Sequence, residues 1–445
     1  MQSVSSIGKR LIVAFLSLLS FVIETKGQDN SPWSRYGLGD MVPSAAVTNR
    51  GMGHVAAAYS DFQTINFVNP ASYAQIGSKR AVLDIGLDIN SRTLRNNRGA
   101  SFNSKNAYIP YLAGGFQIKP EKSKTSWGMA FGLRPLTKVN YNIQSGGKMA
   151  SGDSLMSYYE GNGGSYQAFL GTAIGRKNFS IGINGGYRFG TKDYTTRVEI
   201  YNDTAFDRYT SGKKEIRNNF GSMFVELGMQ YVIPLSKKSN LNLGAYGSLR
   251  SSLRTNRSEN YQSYTLSNDL LTELRLDSVY ESGAIKGNIQ YPSYFGVGFL
   301  FDTEGKGRLN IGADYVRYNW ADYRYFNEKD LMQNSWQVHV GTQYLPDVKG
   351  VSRNYWSQVL FRAGVHLQRE PFTVMGNLKS YGFTIGAGLP IRKYSYAEMN
   401  RSNVVNTALE IGQRSDRTSL LRENYFRFTV GFSLSDIWFI KRKYD

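Results

Sequence analysis

AVLDIGLDIN, residues 81–90, alternates apolar and polar positions almost without a break. Ala81, Leu83, Ile85, Leu87 and Ile89 fall on one face, and Asp84, Gly86, Asp88 and Asn90 on the other. A period of two marks a β-strand, because successive side chains point to opposite sides of a pleated backbone. The pattern returns in SWGMAFGLR (126–134), FSIGINGGYRFG (179–190) and YFRFTVGFSLS (425–435). About fourteen such segments start near residues 81, 108, 126, 164, 178, 219, 239, 290, 307, 335, 357, 376, 403 and 424. Most run for roughly ten residues, the length a tilted strand needs to cross a bilayer.

The connections carry a second signal. Those at 91–107, 138–163, 193–218, 253–289 and 319–334 are long. Between them stand short ones: EKSKT, RK, PLSKK and EGK. Outer-membrane barrels alternate in this way, with long loops outside and short turns in the periplasm. The alternation weakens at PDVKGVSRNYW and PIRKYSYAEMNRS, which are longer than tight turns. The faces agree with a barrel. One is Phe, Leu, Ile, Val and Trp, suited to lipid; the other is Gly, Asn, Gln, Thr and Arg, too polar for a sandwich core. Closure also satisfies every strand N–H and C=O, as a bilayer demands. The expected fold is therefore all-β, a closed antiparallel transmembrane barrel of about 14 strands.

The N-terminus places the chain in the envelope. Lys9 and Arg10 precede the apolar run Leu11–Ile23, and small residues follow near Gly27. That reads as a secretory signal peptide over 1–27, too short for a convincing spanning helix. The chain has no cysteine, which excludes lipoprotein anchoring, disulfides and thiolate chemistry. A net charge of +19 would suggest nucleic acid in a cytosolic protein. No basic arm is present, so in an exported chain the charge points to anionic lipid head groups. The expected location is the outer membrane of a Gram-negative cell, with no nucleic-acid partner.

Residues 28–80 do not alternate. TINFVNPASYA (64–74) is an apolar knot broken at Asn69-Pro70, since Pro70 lacks an N–H and biases Asn69 away from helix. It reads either as a turn ahead of the first strand or as part of a segment that fills a lumen.

The motifs here resemble a known family. GMGHVAAAYSDFQTINFVNPASYA is similar to the N-terminal signature of the FadL-type outer-membrane transporters, through Gly51, Gly53, Ala57, Asp61, Thr64, Ile65, Asn69, Pro70 and Ala71. YPSYFGVGFLF with IGADYVRYNWADY supplies Pro292, Gly296, Gly298, Asp314 and Trp320. FRAGVHLQREP with FTIGAGLP supplies Arg362, Gly364, Pro371, Gly386, Gly388 and Pro390. The set spans nearly the whole mature chain. SPWSRYGLGD and SDIWFIKRKYD resemble the Bacteroidota branch, which also holds PorV-type barrels that serve secretion. The resemblance implies an N-terminal hatch over 28–80, with Asp61, Thr64, Asn69, Pro70 and Ala71 in it, and a barrel over 81–445. It also implies passive uptake of hydrophobic or amphipathic small molecules such as long-chain fatty acids.

Alternation places further candidates on the lumen face. They are Asp84, Asp88, Arg134, Arg188, Glu226, Arg250, Asp314, His339, Arg362, His366, Glu410 and Arg427. Acid and base nearly balance, which suits either a salt-bridged lining that braces a hatch or an arginine that meets a substrate carboxylate. The histidines are His54, His339 and His366, and their spacing suggests no metal cluster and no catalytic pair. No enzyme activity, cofactor or metal is expected. The expected function is that of a passive uptake channel, favoured by an apolar hatch-gated lumen; the alternative is a non-transporting barrel that docks exported proteins or secretion machinery, favoured by a sealed lumen and a large outer surface.

Overall fold

The computed structural model describes residues 30–437, except 98, 119–123, 202–209, 267–272, 349–351, 353, 374–376, 392–402 and 416–420. The signal peptide reading falls outside the described residues.

Fourteen antiparallel strands close into a barrel. The first half consists of β1 (Arg80–Asn96), β2 (Ser101–Tyr108 and Leu112–Gln117), β3 (Thr125–Lys148), β4 (Ser154–Arg176), β5 (Phe179–Tyr201), β6 (Ser211–Ser236) and β7 (Ser239–Ser248). The second half consists of β8 (Tyr294–Glu304), β9 (Arg308–Tyr318), β10 (Ser335–Leu345), β11 (Leu360–Arg369), β12 (Lys379–Ile391), β13 (Asn403–Ser415) and β14 (Leu421–Ile437). Closure comes from β14 against β1, where Phe428 lies opposite Ile89 and Gly431 opposite Gly86. Between β7 and β8 an outer hairpin, Ser251–Leu266 and Glu273–Tyr291, pairs with the upper part of β6.

The outer face is a belt of exposed apolar side chains, among them Phe131, Leu170, Ile183, Leu227, Phe299, Val365 and Phe383. In water such a surface would aggregate; in a bilayer it is the solvated face. The alternate residues point inward and are buried, including Asp84, Asp88, Arg188, Glu226 and Thr384.

The long connections differ from the sequence reading. Much of 138–163, 193–218 and 253–289 is strand, and β3 to β6 run for 24, 23, 23 and 26 residues. At about 3.3 Å per residue they outrun a bilayer by a wide margin. Beyond the belt both faces meet water or polar neighbours, so apolar alternation disappears while backbone pairing continues. The result is a wall of β3, β4, β5, β6 and the outer hairpin, rising from one end of the barrel.

The barrel wall has one seam. Pro110 breaks β2, and the upper piece of β2 pairs with β1 alone. The facing edge of β3 instead takes backbone from the N-terminal segment. Asp40 and Met41 pair with Lys138 and Thr137, Val42 N donates to the Leu136 carbonyl at 2.9 Å, and Ser31 N donates to the Asn140 carbonyl at 2.9 Å.

A plugged lumen as the candidate functional site

Most of residues 30–79 is buried within the barrel, with Arg35, Phe62, Gln75 and Lys79 exposed. A short helix (Val47–Arg50) and a 3-10 turn (Pro70–Gln75) give the segment its only regular structure apart from a 3-10 turn at Pro32–Arg35 and the Asp40–Met41 pairing. Its middle lies flat against the wall, and glycines make the room. A Cβ on Gly128 would overlap the Tyr73 carbonyl, and one on Gly244 the Ala57 carbonyl. Gly182 faces Pro70, Gly341 faces Met52 and Gly364 faces Gly53 in the same way. These glycines lie on β3, β7, β5, β10 and β11, so the segment touches the wall around much of its circumference. The close approach requires glycine on the wall, and the fit is that of a seated plug.

Polar anchors complete the seat. One oxygen of Asp314 accepts the backbone N–H groups of Ala56 and Ala57 at 2.6 and 2.8 Å. Asn69 caps the Pro70–Gln75 turn by accepting from Ala71 N at 3.1 Å. Its amide donates to the carbonyls of Ala57 at 2.6 Å, Met229 at 3.2 Å and Ala245 at 3.3 Å. Arg50 bridges to Asp88 at 2.6 Å and donates to the carbonyls of Ala45 and Pro43. Tyr111 accepts from Val47 N and donates to Asp84, and the Tyr73 hydroxyl donates to Asn184. Unpaired backbone groups in a lumen are costly, and here the wall's side chains answer them.

The remaining candidates fall into charge clusters. Glu226 binds Arg188 at 2.9 Å, lies 3.8 Å from Arg134 and accepts from the Tyr294 hydroxyl at 2.7 Å. Phe224 and Tyr291 hold the Arg188 guanidinium between their rings, 4.6 and 4.5 Å from the centroids. Glu410 binds Arg427 at 2.9 Å, and Arg427 also reaches Asp88 at 3.6 Å. Arg362 donates to Gln343 and Asn406. Asp61 and Thr64 lie in the plug beyond Tyr59: Asp61 accepts from Gln63 N at 2.7 Å, and Thr64 is buried. Arg250 is a correction. It lies exposed in the short link between β7 and the outer hairpin, because β7 ends at Ser248 and alternation no longer fixes direction beyond it.

The expectation of no metal-type cluster also needs correction. His54, in the plug, is outside any strand, so periodicity could not place it. The fold sets it against His366 and Glu410, within 4.8 Å donor to donor. A cavity of about 80 Å³ opens beside them, lined also by His339, Arg414 and Tyr425. It has room for a few water molecules. It is polar and far below the several hundred Å³ of a typical small-molecule pocket.

Above the belt, the wall is braced by ion pairs. Glu273 of the outer hairpin meets Arg197 at 2.9 Å and Lys213 at 2.8 Å, and Arg197 also meets Glu160 at 2.5 Å. Burial alone would raise the Glu273 carboxyl, but Lys213 and Arg197 outweigh it and hold it below its ordinary value. The second strand of the outer hairpin pairs with its own partner, and near its base Ile289 and Gln290 pair with Tyr325 and Arg324. Among the described residues the rest of its outer edge carries no ladder. Leu274, Leu276, Val279, Tyr280 and Ile285 are exposed along that strand, Val279 at 71%.

A fourteen-stranded barrel with an apolar belt and an N-terminal plug is the fold seen in solved FadL-type outer-membrane barrels. The chain belongs to the BamG family, whose model matches residues 7–445. Among solved structures it is similar to the Pseudomonas putida toluene transporter TodX (14% identity, TM-score 0.56, covering 88% of this chain and 98% of that one). It is similar to a Pseudomonas aeruginosa FadL homologue (13%, 0.55, 90% and 100%) and to the Ralstonia pickettii toluene transporter TbuX (13%, 0.52, 87% and 97%). At these identities the likeness is one of fold. No curated protein sequence matches the chain.

Proposed function

We propose that this chain is a sealed outer-membrane barrel that works through its tall β-wall, as a docking surface for exported or outer-membrane proteins. The observation that carries this reading is the seat of the plug. Backbone from Met52 to Tyr73 lies against wall glycines on five strands, and the cavity left over is small and polar. A second, smaller cavity, lined by Val68, Leu136, Tyr246, Tyr291 and Tyr318, is more apolar, but it too is far smaller than a drug-sized solute. The wall, by contrast, offers an edge without a partner strand among the described residues of 273–287, with exposed apolar side chains; bulges interrupt it, Val279 at one of them, and the stretches between are open to a partner strand. In this reading the long-hairpin end faces outward.

A photoreactive residue at Val279, with Leu227 on the lipid face as control, tests it in intact cells. Docking requires a defined envelope protein, identified by mass spectrometry, cross-linked from Val279 and not from Leu227. Uptake of a fatty acid or aromatic hydrocarbon that depends on the chain, with no adduct at Val279, overturns the reading.

The seam favours a second reading, passive uptake of a hydrophobic or amphipathic molecule such as a long-chain fatty acid. Between the upper part of β2 and β3 the wall is completed by residues 31–42 rather than by a strand-to-strand ladder. Withdrawal of that segment would open the barrel sideways at the upper edge of the belt. The solved neighbours named as toluene transporters lend this reading support.

A further inference from the structure

All three histidines of this chain gather at one point in the lumen. His54 comes from the plug, His339 from β10 and His366 from β11. The rings of His54 and His366 meet edge-on with centroids 5.0 Å apart, and those of His54 and His339 lie 5.7 Å apart. Glu410 of β13 completes the group. His54 Nε2 lies 3.4 Å from Glu410 Oε2, and His366 Nε2 lies 3.5 Å from Glu410 Oε1. Donors bonded at about 2.0–2.1 Å to a tetrahedral ion stand roughly 3.4 Å apart. The His366 contact to Oε1, the oxygen that Arg427 leaves free, already has that spacing, and one donor atom from each of the three residues lies within 4.8 Å of the others.

The backbone points the same way. His54 has φ of 72°, in the left-handed region that a residue with a side chain rarely adopts, and it follows Gly53 at φ of 62°. This backbone turns the imidazole toward Glu410. The Nε2 atoms of His54 and His366 are the ones turned to Glu410, and His366 Nε2 also lies 3.2 Å from the Tyr425 hydroxyl, a contact that an ion would displace.

We propose that His54, His366 and Glu410 bind one divalent transition-metal ion, of the zinc type. Two imidazoles and a carboxylate form an open zinc-type donor set, and the fourth position faces the neighbouring cavity. The set is wrong for magnesium or calcium, which take six or more oxygens. Charge reinforces that choice. Asp88 and Glu410 are matched by Arg50 and Arg427, so little spare negative charge remains for a hard cation. Binding must come from the softer imidazole donors. Arg427 stays on Glu410 Oε2 and leaves Oε1 for the ion. His339 lies beside His54, with ring centroids 5.7 Å apart. An ion at this point would tie the plug, through His54, to β11 and β13, so it would act as a staple.

The experiment uses the full-length chain without a polyhistidine tag, refolded into detergent after treatment with EDTA. Cobalt(II) is supplied during refolding, so slow entry to the lumen plays no part. Folding is checked by heat-modifiable migration. The expected result is one cobalt per chain with the visible bands of a four-coordinate site, displaced by zinc. His366→Gln and His54→Asn should each lower affinity by about tenfold or more, whereas His339→Gln should have a smaller effect. Asparagine is chosen at residue 54 because it tolerates the left-handed backbone. Folded wild-type protein that takes up neither cobalt nor zinc overturns the proposal. So does a folded His54→Asn/His366→Gln double variant that binds as the wild type does.

Discussion

Arg50 of the plug and Asp88 of β1 meet at 2.6 Å with side chains only 1% and 0% exposed. Neither has water to fall back on, so each is worth most while the other is present. Breaking a buried pair from one side typically costs about 3–5 kcal/mol. That cost falls on the seating of the plug, because the strand ladders do not use either side chain. Arg50→Ala should leave a heat-modifiable barrel, yet small polar solutes should leak through it in liposome-swelling assays. An Arg50→Ala barrel as tight as the wild type would mean that the glycine contacts hold the plug without this pair.

The belt sets a depth-dependent cost. Leu227 and Met223 both lie on the outer face of β6, 53% and 81% exposed. Leu227 is nearer the short-turn end and the middle of the belt. Leu227→Arg should destabilise the barrel by about 2–4 kcal/mol, and Met223→Arg by about 0–1 kcal/mol, in denaturant titrations from lipid vesicles. Equal costs would place the belt elsewhere along the strands.

The wall should weaken in acid. The folded Glu273 carboxyl lies below its ordinary value of 4.5, held there by Lys213 and Arg197 against the opposing effect of burial. A depressed carboxyl contributes stability that is fully present above its unfolded value and lost as pH falls through the folded one. Hydrogen exchange in 251–266 and 273–291 should therefore quicken as pH drops below about 4.5, after correction for intrinsic rates. Glu273→Gln should flatten that dependence and raise exchange at neutral pH. An unchanged profile in the variant would locate the acid response at another carboxylate.

How legible all this was depends on what forced each residue. The bilayer demands an apolar outer face, so alternation in AVLDIGLDIN and YFRFTVGFSLS marked the barrel strands plainly. No such demand acts above the belt, and 193–218 read as a loop although strands fill much of it. The lumen was half legible. Alternation put Asp88, Glu226 and Asp314 inside, but it could not tell which wall residues touch the plug. Asn184 shows the difference: by pattern it is one more polar lumen position, yet it is 1% exposed and holds the Tyr73 hydroxyl. A charge there would strike the plug rather than open water. His54 escaped altogether, because a residue outside regular structure has no period to betray its direction.

The seam separates the two functional readings. Met41 of the plug lies opposite Thr137 of β3 in an antiparallel pairing. Directly opposed residues in such a ladder stand about 4.5–5.5 Å apart between Cα atoms, within the span a disulfide accepts. The chain has no cysteine of its own, so Met41→Cys with Thr137→Cys introduces the sole thiols. Oxidation should bridge them readily and fix the N-terminal segment to β3, as a mobility shift on non-reducing gels would confirm. If the chain carries hydrophobic molecules by releasing residues 31–42, the oxidised protein should lose uptake and recover it with reductant. If it works through the wall, cross-linking from Val279 should be the same in both states, since the hairpin edge is untouched. Uptake that persists in the bridged form would rule out passage through the seam. Cross-linking lost on oxidation would instead show that the plug moves when a partner docks.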